Sequence, residues 1–481
     1  MKGTFKTLVI REIQGAIIDF RFWVVLILCI SIIPLSFYVS MRSYSQRLSD
    51  YQQEIQSYRE LTQIHAQFIA EGVHPPSPLS IFSRGMDFKM PFKVFTSREG
   101  DYKIEYARPD NKKDLLGEID FAFIVAFVLS ILAIVFTFNA ISGDKENGIF
   151  RLVLSNPVFR KQVLIAKLVG NYIVFLVPFI LSLLIALLIV YVSGIIPVFS
   201  KEFFIPVLIM LGISLLFILV MFNMGLWISA LARNSILSVN VLLLIWIILG
   251  LVVPKLSPII GAAIYSVEST GVFESQKALL RFNILKEQYK EEEELYEAIR
   301  TQFRPESQGI STGWEDINNV FDEQVKPIQE KYEQLIISEI EKITNDYTIR
   351  CNRQNNIAGS ISRISPIYSI NNLLAEFSGT GYSEAENFTQ QAKQFQTTVK
   401  QDVYDNFEYK VYRSKGGTAT STRTAEGFDA RNAPIPSFEN YGHVGIAKVF
   451  QQNWIDIAFL GFYCLLFFVC GFVSFLRFDI R

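Results

Sequence analysis

Six stretches of this 481-residue sequence are apolar for long enough to cross a bilayer, and they constrain the fold more than any other feature. A helix needs about 20 apolar residues to span the hydrocarbon core, because its backbone N–H and C=O groups must be bonded internally once water is excluded. The runs cover residues 22–41, 119–141, 163–192, 203–232, 236–253 and 454–476. The first follows Lys2, Lys6 and Arg11, as the core of a secretory signal would. No small-residue cleavage pattern comes after it, so it reads as a retained anchor. With 50% of its residues hydrophobic and 19% charged, the chain is too apolar for water alone and too charged for lipid alone.

Short loops near the membrane retain lysine and arginine on the cytoplasmic side. Lys2, Lys6, Arg11, Arg21, Lys145, Arg151, Arg160, Lys161, Arg233, Arg477 and Arg481 all fall on one side, against Arg42, Arg47 and Lys201 on the other. Both termini are therefore expected inside, with residues 42–118 and 254–453 outside as one extracytoplasmic domain. Residues 1–21 place Phe5, Leu8, Val9, Ile13 and Ala16 or Ile17 on one helical face, with Lys6, Arg11 and Glu12 elsewhere. This pattern predicts a helix lying in the inner interface.

The outer segments read as mainly helical. Leu48, Tyr51, Ile55, Tyr58, Leu61 and Phe68 recur at three- and four-residue steps, which extends the first span outward until His74-Pro75-Pro76 stops it. Alternation between Phe92 and Tyr106, around Glu99-Gly100-Asp101, predicts a small β-hairpin. Apolar stripes over 279–299 and 325–347 predict two paired antiparallel helices, with the acidic run 291–294 as a solvated face. Ser383 followed by Glu386 has the spacing of a capping box opening a third helix, and the Ser/Thr-rich stretch 416–427 reads as a flexible loop.

Several functions are excluded. A formal net charge of −1 without a basic stripe leaves no footprint for a nucleic-acid partner. Cys29, Cys464 and Cys470 lie in apolar runs, Cys351 stands alone, and His65, His74 and His443 are dispersed, so no disulfide framework and no metal set is legible. There is no GxxxxGK[ST] phosphate cradle, HExxH zinc helix or GxSxG elbow, and no catalytic or cofactor-binding residue is assigned. Asp120 and Asp456 stand at the outer ends of spans two and six and Lys167 at the inner start of span three. The mid-span polar residues are amides, Asn171, Asn223 and Asn240, which read as helix-packing groups. Such a chain must borrow its energy or transport nothing.

The most informative segment is NAISGDKENGIFRLVLSNPVFRKQVLIAKLVG, residues 139–170, joining spans two and three. An acidic patch at Asp144 and Glu146 leads to Gly148, then to the aliphatics Ile149, Leu152 and Leu154, then to Pro157, Arg160 and Lys167. This order resembles the cytoplasmic coupling segment of type-2 ABC exporter permeases, with Ile149-Phe150 where Thr-Leu is commoner. Residues 229–235 and Trp246 before Pro254 are similar to the family's inner loop and fifth span. Residues 75–85 and 364–381 resemble those of a subset with large extracytoplasmic inserts.

The resemblance implies a mainly α membrane protein: six transmembrane helices, an N-terminal interfacial helix, a cytoplasmic coupling helix in 142–162, and a largely helical extracytoplasmic domain with a small β element. The ATPase-coupling residues it points to are Asp144, Glu146, Gly148, Ile149, Phe150, Arg151, Leu152, Pro157 and Arg160. A helix from about Asp144 to Ser155 would insert Ile149, Phe150, Leu152 and Val153 into a groove on a soluble ATPase, with Asp144, Glu146 and Arg151 at the rim. ATP and Mg would be bound by that partner, and this chain would carry no cofactor. The remaining expected partners are a second permease copy or paralogue, membrane lipid, and an envelope or periplasmic protein at the external domain. A bacterial inner membrane is the expected location. The competing reading is a non-transporting scaffold that works on an envelope partner through its external helices.

Overall fold

The computed structural model describes residues 2–64, 70–85, 91–96, 102–106, 119–149, 159–302, 313–402, 407–414, 417–424, 438 and 441–477. Among these, six helices are long and apolar enough to cross a membrane: Phe20–Ser57, Phe121–Glu146, Arg160–Ser193, Lys201–Leu231, Ser235–Ile264 and Ile446–Leu476. An N-terminal helix, Lys2–Ile18, precedes the first span and breaks at Asp19. The short connections between spans two and three and between spans four and five share one end of the bundle with both ends of the chain, here called the terminal face. The opposite end carries the two inserts and is the insert face.

Small residues and aromatic edges hold the bundle together, as expected where lipid offers helices no hydrophobic drive to associate. A Cβ added to Gly225 in span four would lie 1.8 Å from Thr137 Oγ1 in span two, so only glycine lets these backbones approach. Asn223 donates from span four to the Cys464 carbonyl of span six at 3.2 Å, and Tyr172 donates from span three to the Leu215 carbonyl at 2.8 Å. Spans two and five each contain a π-helical stretch, Ile124–Leu129 and Ile248–Val252. Trp246 Nε1–H donates to Ser130 Oγ at 2.8 Å beside them, in a buried bond.

The insert face begins within the bundle. Phe37, Phe82, Phe121 and Phe203 pack edge-on or tilted, with ring centres 4.9–6.1 Å apart along the chain of contacts, and tie the turn after Pro78–Ile81 to spans one, two and four. This brings the two outer motifs of the sequence together. Ser77 Oγ donates to the Ser378 carbonyl at 2.9 Å and Thr380 Oγ1 donates to the Ser83 carbonyl at 3.0 Å. Gly85 (φ +43°) sits where a Cβ would meet the Thr380 carbonyl oxygen at 2.7 Å, so its backbone angle and its space both require glycine.

Beyond it stand two long helices, Thr270–Gln302 and Gly313–Ser362. Ile284 packs on Tyr332 and Ile336 while Ile299 packs on Phe321 and Val325, so the pair is antiparallel as the stripes require. A junction helix, Pro366–Phe377, leads to an outer helix, Tyr382–Asp402. The strands are β1 (Ala70–Val73), β2 (Pro91–Thr96), β3 (Tyr102–Tyr106), β4 (Phe407–Ser414) and β5 (Gly417–Thr424). They form an antiparallel sheet in the order β1-β2-β3 and a separate β4-β5 hairpin.

Three local expectations change and a fourth falls outside the described residues. The first helix runs Phe20–Ile64 and ends before a strand rather than at Pro75-Pro76. Residues 417–424 form a strand instead of loop, because GTATSTRT places β-branched threonine at alternate positions, which suits a pleated ribbon. The tip expected at Glu99-Gly100-Asp101 lies outside the described residues, although Thr96 and Tyr102 pair across it. Glu376, not a Ser383/Glu386 box, caps the outer helix: its carboxylate accepts the N–H groups of Tyr382 at 2.9 Å and Ser383 at 3.3 Å.

Candidate functional site

On the terminal face, span two unwinds after Phe138 and re-forms as one short helical turn, Ser142–Glu146. The first N–H groups of such a turn have no partner inside it. Ser229 at the end of span four supplies one, its Oγ accepting from the amides of Ile141 and Ser142 at 3.0 Å each. The three residues that follow Gly143 each hold a different element. Asp144 Oδ2 lies 2.7 Å from Lys167 Nζ of span three, and the same ammonium lies 3.3 Å from Glu12 Oε1 of the N-terminal helix. Lys145 Nζ donates to the Ala230 carbonyl and, at 3.2 Å, to that of Ala232, completing the C-terminus of span four. Glu146 Oε2 accepts the Ser235 amide at 3.2 Å and its hydroxyl at 3.0 Å, at the N-terminus of span five, where a carboxylate is favoured by the helix dipole. Further along, Arg160 Nη1 donates to the Leu476 carbonyl at the end of span six at 3.0 Å.

The N-terminal helix is part of this junction. It crosses span three at Gly170, where an added Cβ would stand 2.7 Å from Glu12 Cβ. Ile13 and Ala16 of its expected apolar face pack on the core, while Ile17 is exposed. A cavity of about 290 Å³ remains between this helix and the coupling segment, lined among others by Arg11, Glu12, Asp19, Arg21, Asp144 and Lys167. Arg21 bridges its far wall, donating to the Asn139 side chain and lying 4.7 Å from the Phe138 ring centre. Lys167 is only 7% exposed, and a buried ammonium of this kind persists because two carboxylates meet it.

The expected coupling residues therefore divide. Asp144, Glu146 and Arg160 are each bonded to the bundle, Asp144 through a part-buried carboxylate and Glu146 through an exposed one. Gly148 adopts φ +70° with open space around it, and Ile149 follows at 37% exposure. Phe150, Arg151, Leu152 and Pro157 lie outside the described residues. The continuous helix expected from Asp144 to Ser155 is interrupted, since the left-handed backbone at Gly148 ends the first turn. Glu12, Lys145, Ser229 and Ser235 were not foreseen as members of the site. Two signals point to the last three: Lys145 sits between Asp144 and Glu146, and Ser229 and Ser235 bound the inner-loop stretch 229–235.

Across residues 7–480 the sequence matches the family described as ABC-2 family transporter protein. No curated protein matches. With nearly the whole chain covered and six apolar helices in place, the protein belongs to the ABC-2 transporter family as a multi-pass membrane permease subunit.

Proposed function

We propose that this permease is the membrane half of an ATP-driven exporter, moved by a separate ATPase that docks on residues 142–162. The observation that carries this reading is the grip of Asp144, Lys145 and Glu146 on spans three, four and five and, through Lys167, on the N-terminal helix. A displacement of this one turn is passed to three spans and a surface helix by bonded contacts rather than through a flexible loop. Ile149 and the apolar residues after it form the partner-facing part, and ATP and Mg are bound by the partner.

The basic residues of the terminal face support an orientation with both termini in the cytoplasm of a bacterial inner membrane and residues 1–21 in its inner interface. Span five buries only 17% of its most apolar stretch, against 67% for span two, which supports a second permease, identical or paralogous, and lipid along its free side. The insert domain then stands outside, available to an envelope partner, and the substrate is exported or extracted there.

The test uses the purified permease and ATPase in vesicles. Gly148→Val and Arg151→Asp are expected to insert and assemble normally yet lower permease-dependent stimulation of ATP hydrolysis by about fivefold or more, the range of a real coupling energy. Full stimulation in both variants contradicts the assignment of this segment.

A further inference from the structure

The chain has three histidines, and two of them converge on one buried carboxylate in the insert domain. His74 follows β1, Glu384 lies in the first turn of the outer helix, and His443 lies just before span six. His443 Nδ1 is 2.7 Å from Glu384 Oε1, His74 Nε2 is 3.7 Å from the same oxygen, and the three ligand atoms all lie within 4.8 Å of one another. The His74 side chain is 9% exposed, and its Nε2, buried and aimed at the cluster, has no hydrogen-bond partner among the described residues. At 3.7 Å its approach to Glu384 is too long for a hydrogen bond. A buried imidazole nitrogen left in this state needs a reason.

We propose that His74, Glu384 and His443 form a binding site for a divalent transition-metal ion, with zinc the best-fitting occupant. Two imidazoles and one carboxylate make the donor set of open tetrahedral zinc sites, with bonds of about 2.0–2.2 Å and a fourth position left for water. Ligand atoms around such an ion stand about 3.3 Å apart, by tetrahedral geometry from those bond lengths. The two separations to Glu384, 2.7 and 3.7 Å, straddle that distance and the two imidazole nitrogens lie within 4.8 Å of each other, so side-chain shifts of no more than about 1.5 Å close the site. Nitrogen donors favour zinc and its first-row neighbours over calcium or magnesium, which prefer all-oxygen shells.

The surroundings are those of a prepared site. Glu384 Oε2 accepts the Val444 amide at 3.0 Å and Oε1 accepts the Tyr441 hydroxyl at 2.8 Å, which holds the carboxylate in place. The side chains of Asn387 and Gln391 both donate to the Gly442 carbonyl at 2.8 Å, which fixes the loop that presents His443. The His74 ring is walled by Phe388 and Tyr441, with centres 5.2 and 4.9 Å away, on the edge of a dry cluster of Val94, Phe388, Ala392, Phe395 and Val399. His443 is 37% exposed and forms the entry side. The ion would join the β1–β3 sheet, the outer helix and the head of span six at one point. Its binding would therefore fix how the insert domain sits on the span whose other end is held by Arg160. This inference does not depend on the exporter reading.

The experiment uses the full-length permease in detergent, purified through a tag without histidine and stripped with EDTA. Zinc uptake is measured by competition with a chromophoric chelator and by metal analysis, and cobalt is used as a visible reporter of coordination. The expected result is one zinc per chain, a raised melting temperature with zinc, and the absorption of four-coordinate cobalt. His443→Ala changes a partly exposed residue and should keep the fold by size exclusion and circular dichroism. It should weaken uptake by more than about 100-fold, beyond the 10–100-fold typical of outer-sphere changes, and abolish the cobalt signal. His74→Gln should do the same. No stoichiometric zinc on the wild type, or uptake unchanged in both variants, overturns the proposal and leaves a hydrogen-bonded cluster only.

Discussion

The cluster of Lys167, Asp144 and Glu12 permits a quantitative test of how the coupling segment is bound to the bundle. Lys167→Met keeps the side-chain length and removes the ammonium, which leaves two carboxylates facing each other. Breaking a buried pair from one side costs about 3–5 kcal/mol. Asp144 is 23% and Glu12 26% exposed, so both can partly rehydrate, and the low end of that range, about 3 kcal/mol, applies. Asp144→Asn leaves Lys167 with Glu12 and should cost about 1.5–3 kcal/mol, the value of one charged hydrogen bond. In the Lys167→Met background the same change removes an uncompensated carboxylate and should cost nothing or even stabilise. The double-mutant cycle should therefore show about 2 kcal/mol of coupling. The assay is reversible unfolding by detergent titration, followed by tryptophan fluorescence. Additivity within about 0.5 kcal/mol would falsify the direct Asp144–Lys167 contact.

Three further outcomes follow from named contacts. Gly225→Ala drives a methyl group into Thr137 and should lower the unfolding midpoint by the equivalent of about 1–3 kcal/mol, with Thr137→Ala recovering part of the loss because it removes the nearest atom. Ser130→Ala leaves the buried Trp246 indole N–H without its acceptor and should cost about 1–3 kcal/mol, whereas an unchanged midpoint would mean that this bond is absent in the membrane. Burial pushes the Glu376 carboxyl above its ordinary value despite the amides it caps, so the folded state holds the proton more tightly than the unfolded one. Its contribution is then complete below about pH 4.5 and declines as pH rises through the folded value, and Glu376→Gln should flatten that slope in melting curves measured from pH 4 to 8.

The membrane architecture was legible because a bilayer imposes a length, and 20 apolar residues meet it whatever they pack against. The antiparallel hairpin was legible for a related reason: Ile284, Ile299, Val325 and Ile336 repeat at helical spacing over a long distance. What could not be read depends on the partner. The π-helical stretches in spans two and five have the same hydropathy as the α-helix around them. The Glu376 cap substitutes a side chain from a preceding helix for the local box that Ser383 and Glu386 spell. The strand at 417–424 has the composition of a loop, and only threonine alternation betrays it. Asp144 and Glu146 stand out as a site by their order, but which helix each one holds, and that Lys145 between them holds another, is tertiary information. The same is true of His74 and His443, which look dispersed along the chain and meet only after the inserts fold against each other.

The central claim is that this permease works through a separate ATPase held on the terminal face. The most direct measurement is gentle purification of the protein from its native membrane, with identification of what accompanies it by mass spectrometry. The account predicts a stoichiometric soluble protein bearing a phosphate-binding loop, whose ATP hydrolysis rises when the permease is present. Repeated recovery of the permease without such a protein, or with one whose hydrolysis ignores it, would contradict the account.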